Sequence, residues 1–144
     1  MVNISPAHTS LRTRFLLAAL LPALATIVAW SPQVLFRSTT EPASPLLLVL
    51  LLVSAPIVAL LVNRRWPAAT NAARSIGVAL PQLVVLPMVW LDVWLDVQNG
   101  NLLRGSGEEA MSYGLGTLAG LVAGVILVVL VAFTSRLGAR LGTH

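Results

Sequence analysis

Long apolar stretches separated by short polar segments are the main feature of this sequence. Four of them stand out, at residues 15–36, 45–62, 75–95 and 113–134, and charged or turn-forming residues bound each one. Apolar positions follow one another almost without interruption, whereas membrane strands alternate apolar and polar residues over about 10 positions. A helix crosses a bilayer in about 20 residues. The pattern therefore predicts an all-α bundle of four transmembrane helices, forming a single membrane domain over residues 1–144.

The composition excludes a soluble globular protein. Hydrophobic residues make up 57% of the chain and charged residues 10%, whereas soluble domains carry about 25% charged residues. The absence of cysteine excludes disulfides, thiolate catalysis and cysteine-ligated metals. We expect a polytopic membrane protein whose first partner is the lipid bilayer, with no cofactor, no metal and no nucleic acid.

The first apolar stretch also has some features of a signal peptide. Arg12 and Arg14 precede it, and Ala23-Leu24-Ala25 resembles a signal-peptidase site. The apolar sequence continues to Trp30, beyond the 7–15 residues of a usual signal core. We therefore expect an uncleaved anchor, with cleavage as the alternative.

Charged residues are divided unequally between the segments that join the apolar stretches. Three segments contain seven of the nine arginines and no acid: Arg12, Arg14, Arg64, Arg65, Arg74, Arg136 and Arg140. The other two, together with the end of the third stretch, contain the remaining arginines and all five acids: Arg37, Arg104, Glu41, Asp92, Asp96, Glu108 and Glu109. Positive residues remain on the cytoplasmic side, so we predict a multi-pass cell-membrane protein with both termini in the cytoplasm.

Prolines inside the apolar stretches predict bent helices. Four of them are Pro22, Pro56, Pro81 and Pro87. Each removes a backbone N–H and clashes with the preceding helical turn, so we expect kinks in the first three helices.

Gly116, Gly120 and Gly124 place a small residue at every fourth position of the last stretch. Such a face allows two helix backbones to approach closely, which stabilises helix association in lipid. The spacing predicts tight packing. Its partner is another helix of this chain, a second copy or a different membrane protein.

Capping patterns predict where two helices begin. Ser44 followed by Pro45 is typical of an N-cap and first helical residue. Ser106 and Glu109 have the spacing of a capping box, in which the serine accepts from a free amide and the glutamate accepts from the N-cap amide. The last helix is therefore expected to begin near Gly107, outside the bilayer.

The predicted outer loop, residues 96–112, and its borders contain the candidate interaction site. Its residues are Asp92, Asp96, Arg104, Glu108 and Glu109. Four carboxylates suit a hard cation such as Ca²⁺ or a basic patch on a partner, although no calcium-loop spacing is present. A solvated acidic loop balanced by Arg104 is the simpler interpretation.

Aromatic residues lie near the predicted membrane surfaces. Trp30, Trp90, Trp94 and Tyr113 are near the outer ends of the stretches, and Trp66 is near an inner end. Because amphipathic rings prefer the headgroup level, we interpret them as interface anchors.

These observations favour a non-enzymatic role. The leading hypothesis is an accessory subunit or assembly factor of a larger membrane complex. The alternative is a pore or carrier for a small solute or ion, including a holin-like pore, formed by self-association. An enzyme using Asp92 and Asp96 lacks an accompanying base or metal set. The absence of lysine beside many arginines suggests a bacterial source.

Overall fold

Four helices make up most of the described part of the chain. The computed structural model describes residues 10–36, 45–67 and 70–143. The helices are α1 (Leu11–Phe36), α2 (Pro45–Arg65), α3 (Asn71–Gln98) and α4 (Gly107–Leu141). The predicted all-α class is therefore confirmed for this part of the chain.

Helices α1, α3 and α4 are long and apolar enough to cross a membrane. They contain 26, 28 and 35 residues, which exceeds the roughly 20 that a bilayer requires. A membrane location of the chain is thus supported by three helices. Helix α2 has 21 residues and coincides with the second predicted span, but its crossing of the membrane stays a prediction, as does the orientation of the termini.

The helix boundaries differ slightly from the boundaries of the apolar stretches in the sequence. Helix α3 continues to Gln98, and α4 starts at Gly107. Only residues 99–106 of the predicted outer loop therefore lie outside the helices. Helix α2 starts at Pro45 as expected, whereas its expected N-cap, Ser44, lies outside the described residues.

Helices α1, α2 and α3 continue through their internal prolines. Two are in α1, one is in α2 and two are in α3: Pro22, Pro32, Pro56, Pro81 and Pro87. Proline is tolerated in membrane helices where neighbouring groups compensate for the lost backbone hydrogen bond. The kinks expected in these three helices from Pro22, Pro56, Pro81 and Pro87 stay a prediction.

The helices form a four-membered ring in the order α1, α2, α4, α3. The main contacts join α1 to α2 and α3, and α4 to the same two helices. Ala18, near the start of α1, shares a buried cluster with Val62 near the end of α2 and Ala73 near the start of α3. Helices α1 and α2 are therefore antiparallel, whereas α1 and α3 run in the same direction.

The centre of the ring is a packed apolar core. Small and branched side chains from α2, α3 and α4 meet there: Ala55, Ala59, Val85, Val89, Leu127 and Val131. Trp30 of α1 packs against this core. The interpretation of this tryptophan as an interface anchor stays a prediction.

Two glycines allow helix backbones to touch near one end of the bundle. A Cβ atom built on Gly138 of α4 would lie 2.5 Å from the carbonyl oxygen of Leu60 in α2. A Cβ atom on Gly77 of α3 would meet the carbonyl oxygen of Ala18 in α1 even more closely. That oxygen lacks its usual helical donor, because the residue four positions on is Pro22.

Candidate functional site

The N-terminal end of α4 is closed by a serine cap. The Ser106 hydroxyl oxygen accepts a hydrogen bond from the Glu109 amide at 3.2 Å, so the helix starts at Gly107 as predicted. The Glu109 carboxylate accepts from the amide of Gly105, not from that of Ser106, which donates to the Leu103 carbonyl oxygen at 3.1 Å. The reciprocal bond of the expected capping box is thus shifted by one residue.

Asp96 stabilises the end of α3. Its backbone carbonyl oxygen accepts from the amides of Asn101, at 2.9 Å, and Leu102, at 3.2 Å. Its carboxylate accepts from the Asn101 side-chain amide at 3.4 Å. Gly100 has a φ of +76°, a conformation that glycine adopts readily. The turn at Asn99 and Gly100 therefore folds back on Asp96.

The remaining candidate residues lie around the same end of the bundle with different exposure. Asp92 is half-buried in α3, whereas Arg104 and Glu108 are exposed. Among the residues that the structure describes, no group of three or more histidine, cysteine or acidic side chains is arranged to hold a metal ion. Asp92, Asp96, Glu108 and Glu109 thus do not converge as a calcium site would require.

An aromatic contact, which the sequence patterns did not indicate, joins α3 to α4 near this end. The rings of Trp90 and Tyr113 meet edge to face, with centroids 6.0 Å apart. The Trp90 indole N–H donates to the Thr117 hydroxyl at 3.0 Å, and that hydroxyl donates to the Tyr113 carbonyl oxygen at 2.6 Å. The four-residue spacing of Tyr113 and Thr117 is the one local signal for this arrangement.

The glycine face of α4 lies against α3 of the same chain. Cβ atoms built on Gly116, Gly120 and Gly124 would come closest to side chains of α3, at 2.8, 3.3 and 3.0 Å. The nearest atoms belong to Val89, Leu86 and Gln82, respectively. Of the partners left open by the sequence, the structure therefore shows another helix of this chain.

A second polar region, not singled out from the sequence, lies at the opposite end of the bundle. The first turn of α3 and the last turns of α4 border an open cavity of about 470 Å³. Its lining residues are Arg74, Arg136, Ala139, Arg140 and Thr143. The sequence signal was the four-residue spacing of Arg136 and Arg140, but Arg74 joins them only through the packing of the helices.

No protein-family model, curated protein sequence or solved structure matches this chain. The two polar ends of the bundle and its packed centre therefore carry the functional interpretation.

Proposed function

We propose that this protein is a small polytopic membrane protein that acts, without enzymatic activity, as an accessory subunit or assembly factor of a larger membrane complex. All four helices cross the cell membrane in this proposal. The arginine-rich segments and both termini face the cytoplasm, in agreement with the preference of arginine for that side.

The packed centre of the bundle is the observation that supports this function most strongly. Val85, Leu127 and Val131 are each 0% exposed, and they pack against Ala55 and Ala59, which are equally buried. Pathways for ions or polar solutes need polar groups or a water-filled route through the bilayer. Within the described residues, the buried cluster at the crossing of α2, α3 and α4 consists of apolar side chains, which favours a structural role.

Two polar side chains buried near the core donate hydrogen bonds within their own helices, although the Asn63 side-chain oxygen is buried without a partner in the described part of the chain. The Thr26 hydroxyl donates to the Pro22 carbonyl oxygen at 3.0 Å, and the Asn63 side-chain amide donates to the Ala59 carbonyl oxygen at 2.8 Å. Such bonds are a common arrangement for polar residues in membrane helices. They stabilise side chains without creating a transport pathway.

The partner is proposed to contact the outer end of the bundle. Arg104 and Glu108 are exposed there, beside the half-buried Asp92. Glu109 and Asp96 bond within the helix ends, which holds the loop in one conformation. Exposed charges on a rigid surface suit charge-complementary recognition.

Isolation of the protein from its native membrane in mild detergent, followed by native mass spectrometry, tests the accessory role. We expect a second membrane polypeptide in a fixed ratio. The charge reversal Glu108→Arg should weaken this association, whereas Met111→Gln, an exposed uncharged change one turn away, should preserve it. A monodisperse species that contains only this chain contradicts the proposal.

Transport measurements separate the accessory role from the alternative of a self-associated pore. Liposomes containing the purified protein are expected to remain tight to ions and small solutes. Leakage that rises with protein density would support the pore and overturn the accessory role.

A further inference from the structure

Three arginines from two helices line one cavity at the end of the bundle opposite the acidic loop. Arg74 lies in the first turns of α3, and Arg136 and Arg140 lie one turn apart near the end of α4. Because α3 and α4 are antiparallel, the beginning of one helix is beside the end of the other. The cavity of about 470 Å³ between them is open to the surface.

The positive charge of this cavity is not balanced by the acids that the structure describes. Asp92 and Asp96 are near the other end of α3, and Glu108 and Glu109 are in the first turn of α4. Eighteen residues separate Arg74 from Asp92, which is about 27 Å along a helix. The like charges of the three guanidinium groups repel one another, so a bound anion would stabilise the arrangement.

Arg74 also has a hydrogen-bond donor that is buried without a partner. Its Nε atom is shielded from solvent and makes no hydrogen bond in the described part of the chain. Buried donors are normally paired, and a ligand oxygen would supply the acceptor once the Arg74 side chain turned its Nε–H toward the cavity.

Arginine and phosphate are well matched in geometry. The planar guanidinium group offers parallel N–H donors to two oxygens of one phosphate group. Basic pockets between helix ends on the cytoplasmic side of a membrane suit the headgroups of anionic lipids. The arginine distribution predicts that this end of the bundle is cytoplasmic.

The surroundings of the cavity favour a lipid over a free anion. Phe133 and Leu137 lie on the same side of α4 as Arg136 and Arg140, at spacings of three and four residues. Their side chains are 66% and 39% exposed. An apolar surface beside a phosphate-binding group matches a ligand with both a headgroup and acyl chains.

We propose that Arg74, Arg136 and Arg140 form a binding site for the phosphate group of an anionic phospholipid. The phosphate lies among the three guanidinium groups, and the acyl chains lie along Phe133 and Leu137 toward the membrane. The site is independent of the outer acidic end and of the accessory role proposed above.

Lipid binding to the purified full-length protein in detergent tests this site. Native mass spectrometry is used to compare phosphatidylglycerol with phosphatidylcholine, and the variant carries Arg74→Gln, Arg136→Gln and Arg140→Gln together. Wild-type protein is expected to prefer phosphatidylglycerol, and the triple variant to bind it at least about ten-fold more weakly, because several charge-assisted hydrogen bonds are lost. Arg65→Gln is the matched control and should bind normally, because Arg65 lies over the Trp66 ring and is not among the residues that line the cavity.

Further measurements identify the source of the phosphate group and the cause of the weaker lipid binding by the triple variant. Inorganic phosphate and glycerol phosphate are expected not to displace the lipid at equal concentration, and displacement by either would overturn the assignment to a lipid. Circular dichroism shows whether the triple variant is folded. A variant with lysine at all three positions keeps the charge and is expected to retain preferential binding. Equal binding of phosphatidylglycerol by the triple variant and by Arg65→Gln contradicts the site.

Discussion

Gly138 illustrates how a single residue sets the distance between two helices. Its Cα lies against the backbone of α2, where an added Cβ would be 2.5 Å from the Leu60 carbonyl oxygen and 3.2 Å from the Arg64 amide nitrogen. Both atoms belong to a helix backbone, so neither moves aside without moving α2. Gly114, in the same helix, has nothing within 4 Å of an added Cβ, and the two glycines form a matched pair.

Gly138→Ala is expected to destabilise the bundle, and Gly114→Ala is expected to be neutral or stabilising. Alanine favours a helix by about 1 kcal/mol over glycine, but overpacking costs about 1–3 kcal/mol where neighbours cannot adjust. Thermal unfolding in detergent measures the difference, with a lower Tm expected for Gly138→Ala alone. Equal or higher Tm values for both variants would show that α2 and α4 are not in close contact at this position.

Ser106 stabilises the start of α4 through its hydroxyl oxygen. Ser106→Ala is expected to reduce the free energy of unfolding by about 1 kcal/mol, the usual effect of losing an N-cap. Ser75→Ala is a suitable control, because the Ser75 hydroxyl donates to the Asn71 carbonyl oxygen on an exposed helix face and caps no helix. Unfolding by a denaturing detergent measures both variants, and equal effects would argue against the cap.

The cap was predictable from sequence because it depends on residues that are close together along the chain. The serine, the glutamate and the start of the apolar stretch sufficed to locate the beginning of α4. The acceptor role of Glu109 differed by one residue, since it depends on Gly105 adopting a φ of +73°. Glycine adopts a positive φ readily, but a glycine in a sequence does not always have one.

At the scale of the helices, length and hydrophobicity were the reliable signals. A run of about 20 apolar residues is a local property, so α1, α3 and α4 could be recognised from the sequence. The order of the helices around the ring could not be recognised from the sequence. These helices are apolar on nearly every side, and no polar stripe marks the surface that faces the bundle interior.

Contacts between distant residues therefore had to come from the structure. Trp30 packs against the core formed by α2, α3 and α4, a contact that the sequence patterns did not indicate. The glycine face of α4 was predicted to be a packing surface, but its partner was left open. The structure identifies this partner as α3, because Gln82 and Val89 of α3 lie closest to Gly124 and Gly116.

The register of α3 against α4 is tested by disulfide formation. A Cβ atom on Gly124 would lie 3.9 Å from the Cβ of Gln82, close to the separation of about 3.8 Å found in disulfides. The chain has no native cysteine, so the double variant Gln82→Cys with Gly124→Cys contains one pair only. We expect efficient cross-linking within the monomer on mild oxidation, detected by a mobility shift that reductant reverses.

Gln82→Cys combined with Gly116→Cys is the control for this register. Gly116 lies two turns away on the same face and contacts Val89 instead. Weak or absent cross-linking is expected for this pair. Preferred cross-linking of the control pair, or cross-linking only between two chains, would contradict the packing of α3 on α4.

At the scale of the whole molecule, the two ends of the bundle differ in charge. Every described arginine except Arg104 is at the end that contains the start of α1 and α3, and the described acids are at the other end. Charges were visible in the sequence, and their division predicted the orientation. The cavity formed by Arg74, Arg136 and Arg140 was not predictable, because it exists only where α3 and α4 meet.

Helix α4 is longer than a bilayer crossing requires. Its 35 residues correspond to about 52 Å, compared with a hydrocarbon core of about 30 Å. The excess places the Ser106 cap and the arginine cavity in the two aqueous or headgroup regions. The proposed partner surface and the proposed lipid site therefore lie on opposite sides of the membrane.

The orientation of the chain is the central claim, and labelling of single cysteines tests it most directly. The cysteine-free chain allows one cysteine at a time at Ser10, Thr40, Asn71, Asn101 or Thr143, with a membrane-impermeant maleimide added to intact cells. We predict labelling at positions 40 and 101, and labelling at positions 10, 71 and 143 only after the membrane is opened. Labelling of positions 40 and 71 from the same side would show that α2 does not cross, and labelling of position 143 in intact cells would contradict a cytoplasmic C-terminus.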